Sequence, residues 1–230
     1  VRCTPVKLYR DGKLSKDMLN TLCLNSRHAE AFRQDLEAML AAARIGNVRI
    51  TELVHEYGVT RLSQATAWLI EHSEQSLRSL LDSLRSGQHD GHSVVAHDCH
   101  GRTGLEMQVQ ITLDKDGVTA DFHGTGAQST SFVNCPFAIT QALVFVTLQA
   151  ALGEKIPATS GAMRAIQTVA PAGSLVNPTY PAPVGWGLHH VGHECTNALI
   201  AAFNECVERP VANITANAIL LYCIHRQVRH

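Results

Sequence analysis

Hydrophobic positions recur with helical spacing through the first third of the chain. Over residues 30–43 they fall three or four positions apart, which is the spacing of one face of an amphipathic α-helix: Phe32, Leu36, Met39, Leu40 and Ala43. Because glycine commonly ends helices, we expect this helix to stop near Gly46 and a second helix, over 48–57, to stop at Gly58. The longest apolar stripe predicts a third helix over 62–84.

The first helix of the chain is predicted ahead of these three. Asp11 and Gly12 form a turn signal, and Ser15 is a suitable N-cap for a helix over 16–25. A polar, glycine-rich stretch over 86–93 then interrupts the helical pattern. We expect the main internal boundary of the chain there.

The hydrophobic period changes from helical to alternating after this break. Every second residue is apolar over 105–113, a turn signal follows at 114–117, and a second extended segment begins at Val118. This pattern predicts a β-hairpin. Two helices are expected after it, one between Pro136 and Gly153 and one from Gly187 to about Cys206.

This order of elements predicts an α+β fold, in which an N-terminal helical layer precedes a β-hairpin or sheet with packed helices. We expect a helical segment over 1–85, an α+β segment of the same domain over 94–208, and a divergent tail over 209–230.

Composition narrows the class of protein. Hydrophobic residues make up 45% of the 230 residues, enough for a packed core, and the net charge of −1 provides no basic surface for nucleic acid. The longest apolar run, FAITQALVFVTLQAAL, contains Thr and Gln and is too short for a membrane span.

The seven cysteines are scattered singly and form no Cys-x-x-Cys pair, so we expect reduced thiols and a cytoplasmic protein. The first residue is Val1 rather than Met, and we expect the chain to be a fragment.

The densest run of candidate chemistry is GWGLHHVGHECTNALI, over 185–200. If a helix begins near Leu188, His189 and His193 lie four positions apart on one face, and His190 and Glu194 form a second such pair. Histidines at this spacing can bind a metal ion, and they can equally cap a helix or bond to backbone.

A second run of candidate ligands could meet the first in space: His97, Asp98, Cys99 and His100. Because no sequence feature brings the two runs together, we predict no metal ligand within this chain.

The polar loop ahead of Pro136 is a candidate substrate-binding segment. It carries Gln128 and Asn134 and leads into a helix N-terminus, which can bind anions through free N–H groups, although its side chains can also cap the helix. The chain contains no P-loop and no Gly-x-Ser-x-Gly elbow. Cys135 is expected to be a buried thiol rather than a nucleophile.

Four segments, in this order, resemble the hydantoinase B/oxoprolinase family: PVKLYRDGKLS, RQDLEAMLAAARIG, DFHGTGAQSTSFVNCPFAIT and GAMRAIQTVAPAGSLVNPTYPAPVGWG. The family includes subunits of N-methylhydantoinase, 5-oxoprolinase, caprolactamase, and acetone and acetophenone carboxylases. The resemblance implies a hetero-oligomer in which ATP binds to a separate A-type subunit, and this subunit phosphorylates the carbonyl oxygen of a cyclic amide. The B-type part then completes ring opening.

The resemblance also has departures. Divalent-metal motifs of relatives lie upstream of the part matched here, so any such metal is expected from segments outside this chain. Where relatives read Gly-Gly-Asn-x-Glu-Thr-Ser, this chain reads GWGLHHVGHECTN. We therefore predict His190, His193 and Glu194 as catalytic candidates. His189 joins Gln128 and Asn134 as a substrate-binding candidate.

Two alternatives remain. The chain could be a subunit of an ATP-dependent ketone carboxylase acting on acetone or acetophenone. It could also be a non-catalytic structural piece, which the missing upstream metal motif favours.

Overall fold

The computed structural model of the chain describes residues 5–114, 117–153 and 157–208. These residues divide after Thr66 into two units. The predicted boundary over 86–93 falls inside the second unit, and the predicted segments 1–85 and 94–208 stay predictions. The predicted divergent tail over 209–230 lies outside the described residues.

The first unit consists of a small hairpin followed by helices. Strands β1 (Tyr9–Arg10) and β2 (Lys13–Leu14) pair across the predicted turn, and α1 (Lys16–Leu24) begins after Ser15 as expected. Helix α2 (Ala29–Tyr57) follows. The guanidinium carbon of Arg44 on α2 lies 4.4 Å from the centre of the Tyr9 ring, which joins the hairpin to the helix.

The predicted break at Gly46 is wrong, because α2 continues through this residue to Gly58. An exposed glycine inside a helix costs only about 1 kcal/mol relative to alanine, and the turns of α2 ahead of Gly46 are rich in good helix formers such as Ala and Leu. The predicted apolar stripe of α2 is only partly covered, and Phe32, Leu36 and Leu40 are half-buried. Met39 is 68% exposed and Ile45 is 62% exposed.

Helix α3 (Val59–Leu81) begins in the first unit and ends in the second, three residues earlier at each end than predicted. Among its residues in the second unit, Leu77 and Leu81 are buried in that unit's core. Trp68 remains 62% exposed and stacks on His72, with ring centroids 4.7 Å apart.

A four-stranded sheet forms the centre of the second unit, in the order β3-β4-β5-β6. The strands are β3 (Gly87–His97), β4 (Thr103–Asp114), β5 (Gly117–Asp121) and β6 (Ile166–Val169). Strands β3 to β5 are antiparallel, and β6 adds parallel to β5. The predicted hairpin is confirmed as β4 and β5. Residues 115–116 of its turn lie outside the described residues.

The polar stretch over 86–93, predicted as a break, is instead the first half of β3. Gly91, one of its two glycines, has a packing role, because a Cβ atom there would lie 2.0 Å from the carbonyl oxygen of Ala198. Glycine in a strand commonly marks such a close backbone approach. Here it lets the helix that carries Ala198 lie directly on the strand.

Helices α4 (Phe137–Leu152), α5 (Ser160–Arg164) and α6 (Val191–Cys206) complete the second unit. Helix α6 packs on β3 and β4, and α4 packs on α6. Alternate residues of β4 face this core, while those between them face away: Leu105, Met107, Val109, Ile111 and Leu113 are buried.

The α+β class, with a helical N-terminal part and a sheet with packed helices, is confirmed. Within the described residues, the structure contains no helix long and apolar enough to cross a membrane.

Candidate functional site

The two histidine-bearing runs of the sequence meet in the structure. His97 is the last residue of β3 and His190 is the N-cap of α6. Their rings contact edge to face, with centroids 5.5 Å apart and planes at 80°. The packing of α6 on β3 produces this juxtaposition, because the end of the strand and the start of the helix lie on the same side of the unit.

A buried carboxylate shapes the loop after His97. Asp98 is fully buried, and its Oδ1 atom accepts hydrogen bonds from the backbone N–H of His100 (2.8 Å) and of Arg102 (3.0 Å). Its Oδ2 atom accepts a 2.6 Å bond from the Ser129 hydroxyl. That hydroxyl, followed by the two backbone amides, lowers the pKa of Asp98 to about 2 against the opposing effect of burial.

This loop holds a thiol beside the first histidine. Cys99 adopts a φ of 65°, in the left-handed region, and its side chain is exposed. The Sγ atom lies 3.5 Å from Nδ1 of His97. Cys99, His97 and His190 each present a ligand atom, and these three atoms lie within 4.8 Å of one another.

A cavity of about 400 Å³ opens beside these three residues; we call it the His97–His190 cavity. Aromatic side chains form its wall, where Phe132 and Trp186 contact edge to face at 6.3 Å and Trp186 contacts His189 at 6.1 Å. The complete lining is Ala96, His97, Cys99, Phe132, Trp186, His189 and His190. The lining therefore combines aromatic rings with imidazoles and a thiol.

The side chain of His190 is partly buried at the start of α6. Its Nδ1 atom is buried and has no hydrogen-bond partner. Burial lowers the pKa of His190, and repulsion from His97 lowers it further, whereas Glu194 acts in the opposite direction. Burial and His97 therefore favour the neutral ring, the form that can accept a proton or bind a metal ion.

The other two predicted catalytic residues lie one turn further along α6. Glu194 is 9% exposed and accepts hydrogen bonds from the Ser93 hydroxyl on β3 and from Nδ2 of Asn197 at 3.1 Å. The His193 ring contacts the His189 ring edge to face at 6.3 Å. His193 is thus linked to the cavity through His189, and Glu194 is held against the strand.

The polar loop forms the support of the cavity. Asn134 is fully buried, and its side chain accepts from Ser129 N–H and donates to the carbonyl oxygens of Ser129, Ser131 and Pro183 at 2.8–3.0 Å. A second hydrogen bond joins the same two segments, from the backbone N–H of Trp186 to the carbonyl oxygen of Phe132. Asn134 therefore fixes the two segments that carry the aromatic wall.

Gln128 also joins segments of chain. Its Oε1 atom accepts from the backbone N–H of Thr179 at 2.7 Å and from the Thr179 hydroxyl at 3.2 Å. The predicted substrate-binding roles of Gln128, Asn134 and His189 stay predictions. Of the three, the structure places His189 in the wall of the cavity.

The amino-acid sequence matches a known protein family over nearly its whole length. The family model described as hydantoinase B/oxoprolinase matches residues 1–227. The chain belongs to the hydantoinase B/oxoprolinase family. It is 29% identical over 220 residues to the proposed B-type subunit of a D-/L-hydantoinase from Pseudomonas sp. (strain NS671), a match that covers 90% of this chain and 37% of that protein.

Two solved structures share the hydantoinase B fold of this chain. ATP-dependent caprolactamase from Pseudomonas jessenii superposes with a TM-score of 0.83 at 23% identity, covering 92% of this chain and 36% of that one. Nucleotide-free acetone carboxylase superposes with a TM-score of 0.74 at 16% identity, covering 87% and 28%. This hydantoinase B-type chain therefore spans about a third of the length of these proteins.

Sequence reasoning about this hydantoinase B-type chain missed the aromatic wall. Trp186 had one available signal, since it stands between two glycines directly ahead of the histidine run. The bond between Ser129 and Asp98 had none, because the two residues lie on separate elements 31 positions apart. Cys135 is fully buried and burial raises its pKa to about 11, in agreement with the predicted inert thiol.

Proposed function

We propose that this chain is part of the B-type component of an ATP-dependent cyclic amide hydrolase of the hydantoinase or 5-oxoprolinase type. It acts on a carbonyl-phosphorylated intermediate made by a partner A-type subunit. The observation that carries this proposal is the His97–His190 cavity, whose lining combines aromatic rings with imidazoles. Membership of the hydantoinase B/oxoprolinase family supports the reaction class.

Ring opening of the phosphorylated amide requires a proton acceptor for water, and the protein need not supply a nucleophile of its own. A cyclic amide is a poor electrophile, and phosphorylation of its oxygen makes the attached carbon reactive. Water adds to this carbon while an imidazole takes the proton that the water loses. The imidazole then passes that proton to the nitrogen of the cyclic amide, and the C–N bond of the amide breaks. The resulting acyl phosphate is hydrolysed by a second water to carboxylate and phosphate.

The histidines at the start of α6 have the chemistry for this proton transfer, and His190 lines the cavity. We assign the proton acceptor to His190 or His193, and we assign Glu194 to the orientation of this turn of the helix through its bonds to β3. His189 and the neighbouring aromatic rings contact the substrate. Gln128 and Asn134 act by holding the loops that carry those rings.

The partner and the nucleotide follow from the same proposal. ATP binds to the A-type subunit, and the two subunits form a hetero-oligomer. The exposed apolar side chains of α2, Met39 and Ile45 among them, supply the kind of surface that such an assembly covers. The free thiols of the described residues support a cytoplasmic location.

A ketone carboxylase is the second candidate, favoured by the shared fold with acetone carboxylase. There the activated intermediate would be attacked by a carbon nucleophile derived from the ketone rather than by water. A non-catalytic structural role is the third, and it predicts that the cavity binds nothing.

One experiment separates the three candidates. The full-length gene product that contains this chain is purified with its A-type partner, and ADP release is measured with 5-oxoproline, hydantoin, caprolactam and acetone. ADP release coupled to ring opening is the expected result. ATP consumption only with a ketone and bicarbonate would transfer the chain to the carboxylases. A complex without any turnover would leave the structural role.

A further inference from the structure

The cluster at the mouth of the His97–His190 cavity has the composition and dimensions of a metal site. Its donors are two imidazoles and one thiol, the residue types that bind Zn²⁺ in proteins. In a tetrahedral zinc site, bonds of about 2.3 Å to sulfur and 2.0–2.1 Å to nitrogen place the two ligand atoms about 3.6 Å apart. The Cys99 Sγ and His97 Nδ1 atoms are 3.5 Å apart.

The third donor lies within reach of these two. The ligand atoms of His190, His97 and Cys99 are all within 4.8 Å of one another, so small side-chain rotations bring them to tetrahedral spacing. His190 also carries a buried ring nitrogen without a hydrogen-bond partner. Buried polar atoms are rarely left unpaired, and coordination of this imidazole would fix its tautomer and its orientation.

The loop that carries His97 and Cys99 is fixed by the buried residue between them. Asp98, between His97 and Cys99, is fully buried and accepts three hydrogen bonds, from two backbone amides and the Ser129 hydroxyl. These bonds keep Cys99 at its left-handed φ of 65°. A residue other than glycine rarely adopts that conformation unless its surroundings impose it. The fold therefore fixes the backbone conformation from which the Cys99 thiol projects.

We propose that His97, Cys99 and His190 bind a Zn²⁺ ion. Three protein ligands leave a fourth position, and the cavity walled by Trp186 and Phe132 lies beside the cluster. An open fourth position distinguishes catalytic zinc sites from closed structural ones. Water or a substrate oxygen would complete the coordination there, and zinc lowers the pKa of bound water towards 7.

The other polar clusters in the described part of the second unit lack this set of donors. On the opposite face of the sheet, His92 contacts Glu106 at 2.5 Å and His123 contacts Asp121 at 2.6 Å, in pairs of one imidazole and one carboxylate. Among the described residues, the His97–Cys99–His190 group alone brings three such donors within ligand distance.

The test uses the full 230-residue chain, reduced and stripped of metal. Zn²⁺ binding is measured by calorimetry, and Co²⁺ is added as a spectroscopic probe. We expect one ion per chain and a thiolate-to-cobalt charge-transfer band. Cys99→Ser should abolish the band. His97→Ala and His190→Ala should each weaken Zn²⁺ binding by more than the roughly 10- to 100-fold that loss of an outer-sphere partner costs.

His100→Ala is the matched control, because it removes a histidine from the same loop without touching the cluster. It should leave Zn²⁺ affinity unchanged, and circular dichroism should show every variant folded. A wild-type chain that gives no band, or a Cys99→Ser variant that keeps band and affinity, would overturn the proposal.

A second measurement needs no variant. Cys99 is the exposed thiol of the described residues, whereas Cys23, Cys135, Cys195 and Cys206 are buried. Zn²⁺ should slow alkylation of Cys99, as followed by peptide mapping, and an unchanged rate would refute the site. These measurements require neither ATP nor the partner subunit. Their failure would therefore leave the proposed function standing, and loss of turnover would not by itself remove the metal site.

Discussion

The Ser129 hydroxyl donates a 2.6 Å hydrogen bond to Oδ2 of Asp98, joining the polar loop to the end of strand β3. Both residues are buried, so each side chain depends on the other to replace lost hydration. The same bond connects the loop that carries Phe132 to the loop that carries Cys99. It therefore couples the aromatic wall of the cavity to its polar end.

Ser129→Ala should destabilise the second unit. The substitution removes one of the three hydrogen bonds to a buried carboxylate, and we expect a fall in Tm on the order of 5 °C at neutral pH. Scanning calorimetry provides the measurement. Ser83→Ala removes an exposed hydroxyl and is the control, for which the shift should stay below about 2 °C. Equal shifts in the two variants would contradict the structural role of the Asp98 bond.

The same glycine-to-alanine change should have opposite effects at two positions. At Gly91 a Cβ atom would lie 2.0 Å from the Ala198 carbonyl, so α6 must move away from β3 and stability should fall by about 1–3 kcal/mol or more. At Gly46 no atom lies within 4 Å of the new Cβ, and the helix should gain about 0.5–1 kcal/mol. Urea unfolding measures both, and a stable Gly91→Ala protein would disprove the close contact.

Acid should weaken a link between α3 and α5. Glu74 accepts from Arg78 at 3.0 Å and lies 3.5 Å from Arg164, and the bond from Arg78 is the main cause that holds its pKa below the ordinary 4.5. Because the pKa of Glu74 is lower in the folded state, its ionised form stabilises the fold above pH 4.5. This stabilisation is lost as the pH falls through the pKa of the folded state.

The variant Glu74→Gln tests this link. Its Tm should lie below that of the wild type at neutral pH, and the difference should shrink as the pH falls below 4.5. Glu37→Gln, an exposed charge removal on α2, controls for net charge. A Tm difference that stays constant across this range would exclude the ionised Glu74 as its source.

Tryptophan fluorescence should report occupation of the cavity. The chain has two tryptophans, Trp68 and Trp186, and only Trp186 lines the cavity. In a Trp68→Phe variant, Co²⁺ bound by His97, Cys99 and His190 should quench the remaining emission. In Trp186→Phe, the emission of Trp68 should stay unchanged. Quenching of Trp68 alone would place the ion elsewhere.

His193→Ala should separate proton transfer from metal binding. If His190 is a zinc ligand, His193 is the imidazole left to accept a proton, and kcat should fall by about 10²- to 10⁴-fold with little change in KM or in Zn²⁺ affinity. His55→Ala, an exposed histidine on α2, should keep full turnover in the same assembly. Unchanged turnover in both His193→Ala and His190→Ala would end the assignment of the base.

Elements with a strong local pattern were predictable from the sequence. The alternation along β4 and the turn after it define the β4–β5 hairpin, and Pro136 with Gly153 defines α4. Elements whose conformation depends on residues distant in the chain were not predictable from the sequence. Strand β3 begins with polar residues and glycine, and its conformation comes from pairing with β4 and from contact with α6.

The candidate site shows the same limit. Its residues stood out in the sequence because histidines cluster there, yet the sequence held no sign that His97 and His190 meet. The feature that permits the contact is Gly91, where β3 and α6 approach closely, and a glycine in a polar stretch equally fits a loop. The reason is physical, since a close backbone approach leaves no periodic pattern in one chain segment.

The contact between β3 and α6 also sets an order of assembly. The antiparallel strands β3, β4 and β5 are joined by short connections and can pair early, whereas α6 is the last described element of the chain. During synthesis, the part of β3 and β4 that α6 covers stays unpacked until α6 has left the ribosome. The cavity is therefore complete only after α6 has been synthesised, and a nascent chain cut short before α6 would have a sheet but no cavity.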